Sequence, residues 1–129
     1  MNRFPKAERI CSHVAIDRLF AEGGRFLCYP FSVRYLCERN VQSAELSVLI
    51  NAPKRYQKLA VNRNKAKRIM REAYRLSKSS LQSFAADNKC RILLSIILIS
   101  KDIPSFGTSR KKIEDILACI EKRLKDESD

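Results

Sequence analysis

The chain has 129 residues, the size of one ordinary domain and too few for two. With 45% hydrophobic and 31% charged residues, 3 Gly and 4 Pro, its composition excludes a disordered linker or a collagen-like repeat. The net charge of +12, from 26 basic against 14 acidic side chains, points to an anionic partner. No apolar run approaches the roughly 20 residues of a membrane span, the longest being Ile92 to Ile99. The first ten residues carry charges with no apolar stretch behind them, so no signal peptide is expected. The expectation is a soluble cytoplasmic protein. Cys11, Cys28, Cys37, Cys90 and Cys119 are odd in number and lack metal or redox spacing, as expected of free thiols in a reducing compartment.

In chain order, a short helix is predicted from Ser12, a suitable N-cap, to Glu22, with Ile16, Leu19 and Phe20 as its stripe and Gly23-Gly24 ending it. Phe26 to Leu36 reads as one strand, because Phe31, Val33 and Tyr35 alternate with Ser32 and Arg34, and Pro30 marks an irregular start. Leu46, Val48 and Ile50 give a second strand over Glu45 to Asn51. Ala52 to Leu59 is a basic loop or strand extension. One long helix then runs from about Asn62 to Ala86. Arg91 to Ser100 is a β-branched run suited to a strand covered on both faces. After Pro104 and Gly107, a last helix starts near Thr108 or Ser109 and carries Ile113, Ile116, Leu117, Ile120 and Leu124 at helical period. The order is α-β-β-(β)-α-β-α, a single α+β domain over residues 1–129 with a small mixed sheet packed by helices.

The charge is concentrated. Residues 54–78 hold ten basic groups and one acidic group, Glu72, a net of +9. On a helical wheel Arg63, Lys67, Arg71, Arg75, Lys78 and Arg68 occupy roughly 0–140°, while Leu76, Ile69, Ala73, Ala66 and Phe84 lie at roughly 220–300° and Met70 a little beyond. A solvated helix face ordinarily mixes signs so that i, i+4 pairs attract. This one gathers like charges, which suits a row of nucleic-acid phosphates, and arginine forks match phosphate oxygens. An anionic membrane surface is the weaker alternative. Glu72 is read as an intrahelical partner of Arg68 and Arg75. The only histidine, His13, has no Cys or Asp companion and is expected on the surface or as a cap. Asp87, Asp102 and Glu45 are read as isolated solvated acids. No nucleophile motif, paired carboxylates or phosphate loop is present, so no catalytic residue is expected.

The run Lys58, Ala60-Val61, Arg63-Asn64, Lys67-Arg68, Arg71-Glu72, preceded by Pro53-Lys54-Arg55, resembles the signature of the bacterial ribonuclease P protein component. Phe20 and Gly23 match the later part of that family's N-terminal pattern; its first aromatic is replaced here by Ile16, and an arginine common after Arg-Asn is Lys65. The resemblance implies a ribosomal-protein-like sandwich with a left-handed βαβ crossover. It also implies a protein cofactor of a catalytic RNA that removes the 5′ leader of precursor tRNA. The RNA provides the chemistry and mainly holds the Mg2+. The implied partners are that RNA and precursor tRNA, with no membrane and no obligate protein partner. Lys54, Arg55, Lys58, Arg63, Asn64, Lys65, Lys67, Arg68, Arg71 and Arg75 would bind RNA. Phe20, Arg34 and Tyr35 would meet the single-stranded leader in a cleft between the first helix and the sheet, with at most one of Arg34 and Tyr35 facing it. The alternatives are an RNA-binding module of ribosomal-protein type without a hydrolytic partner, and a DNA-binding protein.

Overall fold

Strand residues that alternate apolar and polar must present one face to a core, and Phe31, Val33 and Tyr35 do so here, all buried. The computed structural model describes residues 13–39 and 43–128. The elements are α1 (His13–Glu22), β1 (Gly24–Cys28), β2 (Phe31–Glu38), β3 (Glu45–Asn51), α2 (Ala60–Ser77), α3 (Ser79–Asp87), β4 (Arg91–Leu98) and α4 (Phe106–Ser128). Ser12 and Cys11 lie outside the described residues, as does the side chain of His13.

The sheet order is β1-β2-β4-β3. The β1/β2 and β2/β4 pairs are antiparallel and β3/β4 is parallel. A parallel pair cannot be closed by a hairpin, and α2 with α3 supplies the crossover. Inner-face residues Val33, Val48, Leu94 and Ile96 pack with Ala66, Met70, Ala73 and Tyr74 of α2, Leu81 and Phe84 of α3, and Ile113, Ile116 and Ile120 of α4. On the opposite face Leu19 packs on Leu93, joined by Ile16, Leu36 and Leu49, so α1 covers part of that face as a second, smaller core. This is the mixed α+β architecture expected, with four strands and four helices.

Three boundaries differ from the sequence reading. The first strand is a hairpin, β1 and β2, closed by Tyr29 and a cis Pro30; the core-facing set changes phase across the turn, from Phe26 and Cys28 to Phe31, Val33 and Tyr35, but the apolar run Phe26-Leu27-Cys28-Tyr29 has no alternation that would show it. This hairpin is the additional strand. The long helix is two, broken at Lys78, where Ser77, Ser79 and Ser80 favour helix ends over helix interiors. Lys78 is buried, so it leaves the basic row in which the wheel placed it. The last helix starts at Phe106 because Ser105 caps it, its Oγ accepting the Thr108 amide at 3.2 Å. Among the described residues Cys28, Cys37, Cys90 and Cys119 form no disulfide, and burial pushes the Cys28 thiol above its ordinary value.

Gly23 places α1. Its amide donates to Leu19 O at 3.1 Å. A Cβ there would lie 2.4 Å from that same oxygen and 2.6 Å from Tyr35 O. Only glycine lets the helix end run this close to β2.

Candidate nucleic-acid interface

The buried residues of α2 are Ala66, Met70, Ala73 and Tyr74. Their arc is rotated toward Arg63 and Lys67 relative to the sequence wheel, leaving Ile69 and Leu76 only partly buried. The exposed face is therefore centred on Asn64, Lys65 and Arg68, with Arg71 and Arg75 half-buried along its side. Asn64, Arg68, Arg71, Glu72 and Arg75 line a groove of about 430 Å³. Among the described residues Lys65, Lys67, Arg68 and Arg71 form no ion pair. Glu72 serves Arg75 alone and not Arg68: Arg75 Nε donates to Glu72 Oε2 at 3.0 Å, and Arg75 Nη2 to Oε1. That hydrogen bond holds the Glu72 carboxyl below the usual carboxylate range.

Arg63 is tied into the fold. Its Nη1 donates to Gln57 O at 3.0 Å and Lys58 O at 2.9 Å, tying the helix to the loop before it. That loop turns on Pro53, whose carbonyl accepts the amides of Tyr56 and Gln57. The buried Gln57 amide donates to Ser100 O and Lys101 O, each at 2.8 Å. With its backbone fixed at both ends, the loop holds Lys54, Arg55 and Lys58 exposed beside the helix start. The Arg55 guanidinium lies 5.6 Å from the centre of the Tyr56 ring. The sequence-predicted RNA residues thus share one surface, with Arg63 and Lys67 at its margin.

The leader residues divide. Tyr35 is buried on the inner face, 6.1 Å from Phe26 between ring centres, and lies away from any cleft beside α1. Arg34 is on the outer face with Phe20: its guanidinium sits 4.6 Å from the centre of the Phe20 ring, and Nη1 donates to Phe20 O at 3.1 Å. Opposite Arg34 across the hairpin stands Arg25, a like-charged neighbour at a register where repulsion costs stability. Leu27, 65% exposed, lies two residues along the same face. Arg25 and Leu27 were missed because the signal that finds them, outer-face alternation in β1, requires the hairpin to be recognised first.

The far end of that face is electrically closed. Arg18 pairs with Glu38 and, at 3.3 Å, with Glu22, while Arg91 lies 3.1 Å from Glu45 and 3.5 Å from Glu38. Glu45 is exposed, as expected, but it is not isolated, since it pairs with Arg91. Attraction to Glu38, more than any other contact, holds the Arg18 guanidinium above its already high range. Among the described residues no cluster of three or more His, Cys, Asp or Glu is arranged to hold a metal ion. No described helix is long and apolar enough to cross a membrane.

A family model described as Ribonuclease P matches residues 4–121. The ribonuclease P protein component of Porphyromonas gingivalis is 31% identical over 115 residues, spanning 89% of this chain and 84% of its own. That of Chlorobaculum tepidum is 32% identical over 125 residues, 90% and 81% of the two chains. In fold, the chain matches the RNase P protein of Staphylococcus aureus with a TM-score of 0.67 at 23% identity, covering 89% of this chain and 96% of that one.

Proposed function

The chain belongs to the ribonuclease P protein family, and from that premise we propose that it is the cytoplasmic protein cofactor of a catalytic RNA, with which it removes the 5′ leader of precursor tRNA. The observation that carries this reading is the α2 face, where Lys65, Arg68 and Arg71 stand without acidic partners among the described residues beside a groove that Asn64 enters. Cations left unpaired at a cost in self-repulsion are what an RNA backbone repays through counterion release. Asn64 supplies a directional hydrogen bond, and Arg68 and Arg71 grip phosphate oxygens with planar forks. Lys54, Arg55 and Lys58 extend the surface, Lys67 and Arg75 border it, and Arg63 positions the loop.

The leader of precursor tRNA lies on the outer sheet face beside α1. There Phe20 and Arg34 form one stacked unit whose guanidinium plane accepts a base, and Arg25 meets the backbone. Magnesium-dependent hydrolysis belongs to the RNA subunit, which mainly holds the Mg2+; this chain contributes binding and placement, with no catalytic residue of its own. The test is precursor-tRNA cleavage by a bacterial ribonuclease P RNA at low magnesium, with and without the protein. Strong stimulation that disappears in the Arg68→Ala, Arg71→Ala variant is expected. Tight RNA binding without stimulation would instead leave an RNA-binding module with no hydrolytic partner.

A further inference from the structure

The start of α2 breaks two local rules side by side. Its N-cap position is Leu59, with extended backbone (φ −85°, ψ 131°) and no side chain bonding the first-turn amides. Ser, Thr, Asp or Asn would ordinarily stand there, because a side-chain oxygen satisfies an amide that the helix leaves unpaired. Leu59 is 62% exposed and satisfies none. Two residues on, Val61 is 70% exposed in the first turn of a helix, where a β-branched side chain adds neither packing nor propensity. Val61 is one helical turn from Asn64 and Lys65 and two turns from Arg68, so it continues the strip that borders the groove. Local rules broken without a folding gain are the mark of a residue kept for contact with something else.

We propose that Leu59 and Val61 form an apolar step at the head of the basic face that seats the ribose and base of one unstacked nucleotide in the bound RNA. The inference rests on the RNA-binding reading above and adds to it an interaction that is not made through charge. Lys58 immediately precedes the step, Lys65 and Arg68 follow Val61 one and two helical turns on, and the first turn of α2 holds no acidic residue, so the field over it favours a polyanion. A second copy of the chain is disfavoured, since apposing two such steps would bring two unpaired basic rows together. Nucleotides splayed out of structured RNA present apolar base faces and sugar edges beside their phosphates, which is the mixture this surface complements.

The test measures affinity for a bacterial ribonuclease P RNA transcript across a salt series, together with thermal unfolding. Leu59→Ser combined with Val61→Thr is expected to weaken binding roughly tenfold at every salt concentration, because less apolar area is buried. The salt slope should stay unchanged, because every phosphate keeps its cation. Leu59→Ser alone is expected to raise Tm by about 3 °C through the new cap while binding less tightly, a combination that a purely structural role for Leu59 cannot produce. Val61→Ile retains affinity. Unchanged affinity in the double variant overturns the proposal, and so does a fall in affinity accompanied by a smaller slope. Loss of self-association in sedimentation with RNA binding intact would assign the step to a second copy, against the proposal. Arg68→Ala, Arg71→Ala serves as the reference: wild-type binding there would remove the RNA-binding reading itself.

Discussion

Two surfaces of this protein are rich in arginine, and they use it in opposite ways. On the outer sheet face Arg18 and Arg91 are each held by two carboxylates from Glu22, Glu38 and Glu45. On α2, Arg68 and Arg71 have no acid among the described residues, and the one glutamate in reach serves Arg75. Exposed ion pairs add little to stability, typically about 0.2–1 kcal/mol each. The network beneath α1 is therefore better understood as cancelling charge at one end of the sheet face. What remains there for a ligand is the opposite end, where Phe20, Arg34 and Leu27 offer stacking and apolar contact with modest charge. The α2 face offers charge first. The first surface should be read by base identity and strandedness, the second by backbone and salt.

The largest expected effect breaks the charged side of this comparison. Replacing Arg68 and Arg71 with Ala should weaken binding to the catalytic RNA roughly 100-fold at low salt, since each charge-assisted hydrogen bond to phosphate is worth about 1.5 kcal/mol or more. The slope of log K against log salt should fall by about 0.7–0.9 for each phosphate left without its cation. Arg63→Ala sharpens the point. Because Arg63 bonds two loop carbonyls, its loss should lower Tm and release Lys54, Arg55 and Lys58, weakening affinity with a smaller change in slope. Equal slopes for the two arginine variants would mean that Arg63 also reaches phosphate.

A smaller effect tests the other surface. Phe20→Ala removes the ring under Arg34, and a stacked base is worth roughly 1–3 kcal/mol. Affinity of the holoenzyme for precursor tRNA should fall about tenfold while affinity for leaderless tRNA stays as it was. Tyr35→Phe, on the inner face, should leave both unchanged. An equal loss on both RNAs would move Phe20 out of the leader site.

Much of this arrangement is legible in the sequence. The helical period of Ala66, Met70 and Ala73 and the crowding of ten cations into residues 54–78 locate the basic helix without coordinates. What escapes has physical causes. The β1/β2 hairpin shifts the core-facing set from Phe26 and Cys28 to Phe31, Val33 and Tyr35, but Phe26-Leu27-Cys28-Tyr29 is apolar throughout, so no alternation reveals the change of phase. Lys78 carries the same charge as its neighbours, and only the break between α2 and α3 buries it. Arg63 and Arg68 are chemically identical letters; their division of labour depends on where the carbonyls of Gln57 and Lys58 fold back. Arg34 and Tyr35 are adjacent, and strand geometry alone assigns them to opposite faces.

The smallest effect concerns the one acid in the basic groove. Arg75 holds the Glu72 carboxyl below its ordinary range, so Glu72 is ionised at neutral pH and subtracts a charge from the surface that Arg68 and Arg71 present. Because the folded-state value is lowered, whatever this pair adds to stability is present above the ordinary carboxylate range and is lost as pH falls through the lowered value. The Glu72 side chain is well exposed, so that contribution is small. Its effect on binding has the opposite sign. Glu72→Gln keeps an oxygen to accept from Arg75 while removing the charge, and should tighten RNA binding about threefold at low salt, with little difference at high salt where the field is screened. Wild-type affinity should rise toward the variant's as the medium is acidified through the titration of Glu72. Weaker binding by the Gln variant would show that Glu72 acts by fixing the Arg75 fork in place. In that case the groove would depend on geometry where Arg68 and Arg71 depend on charge.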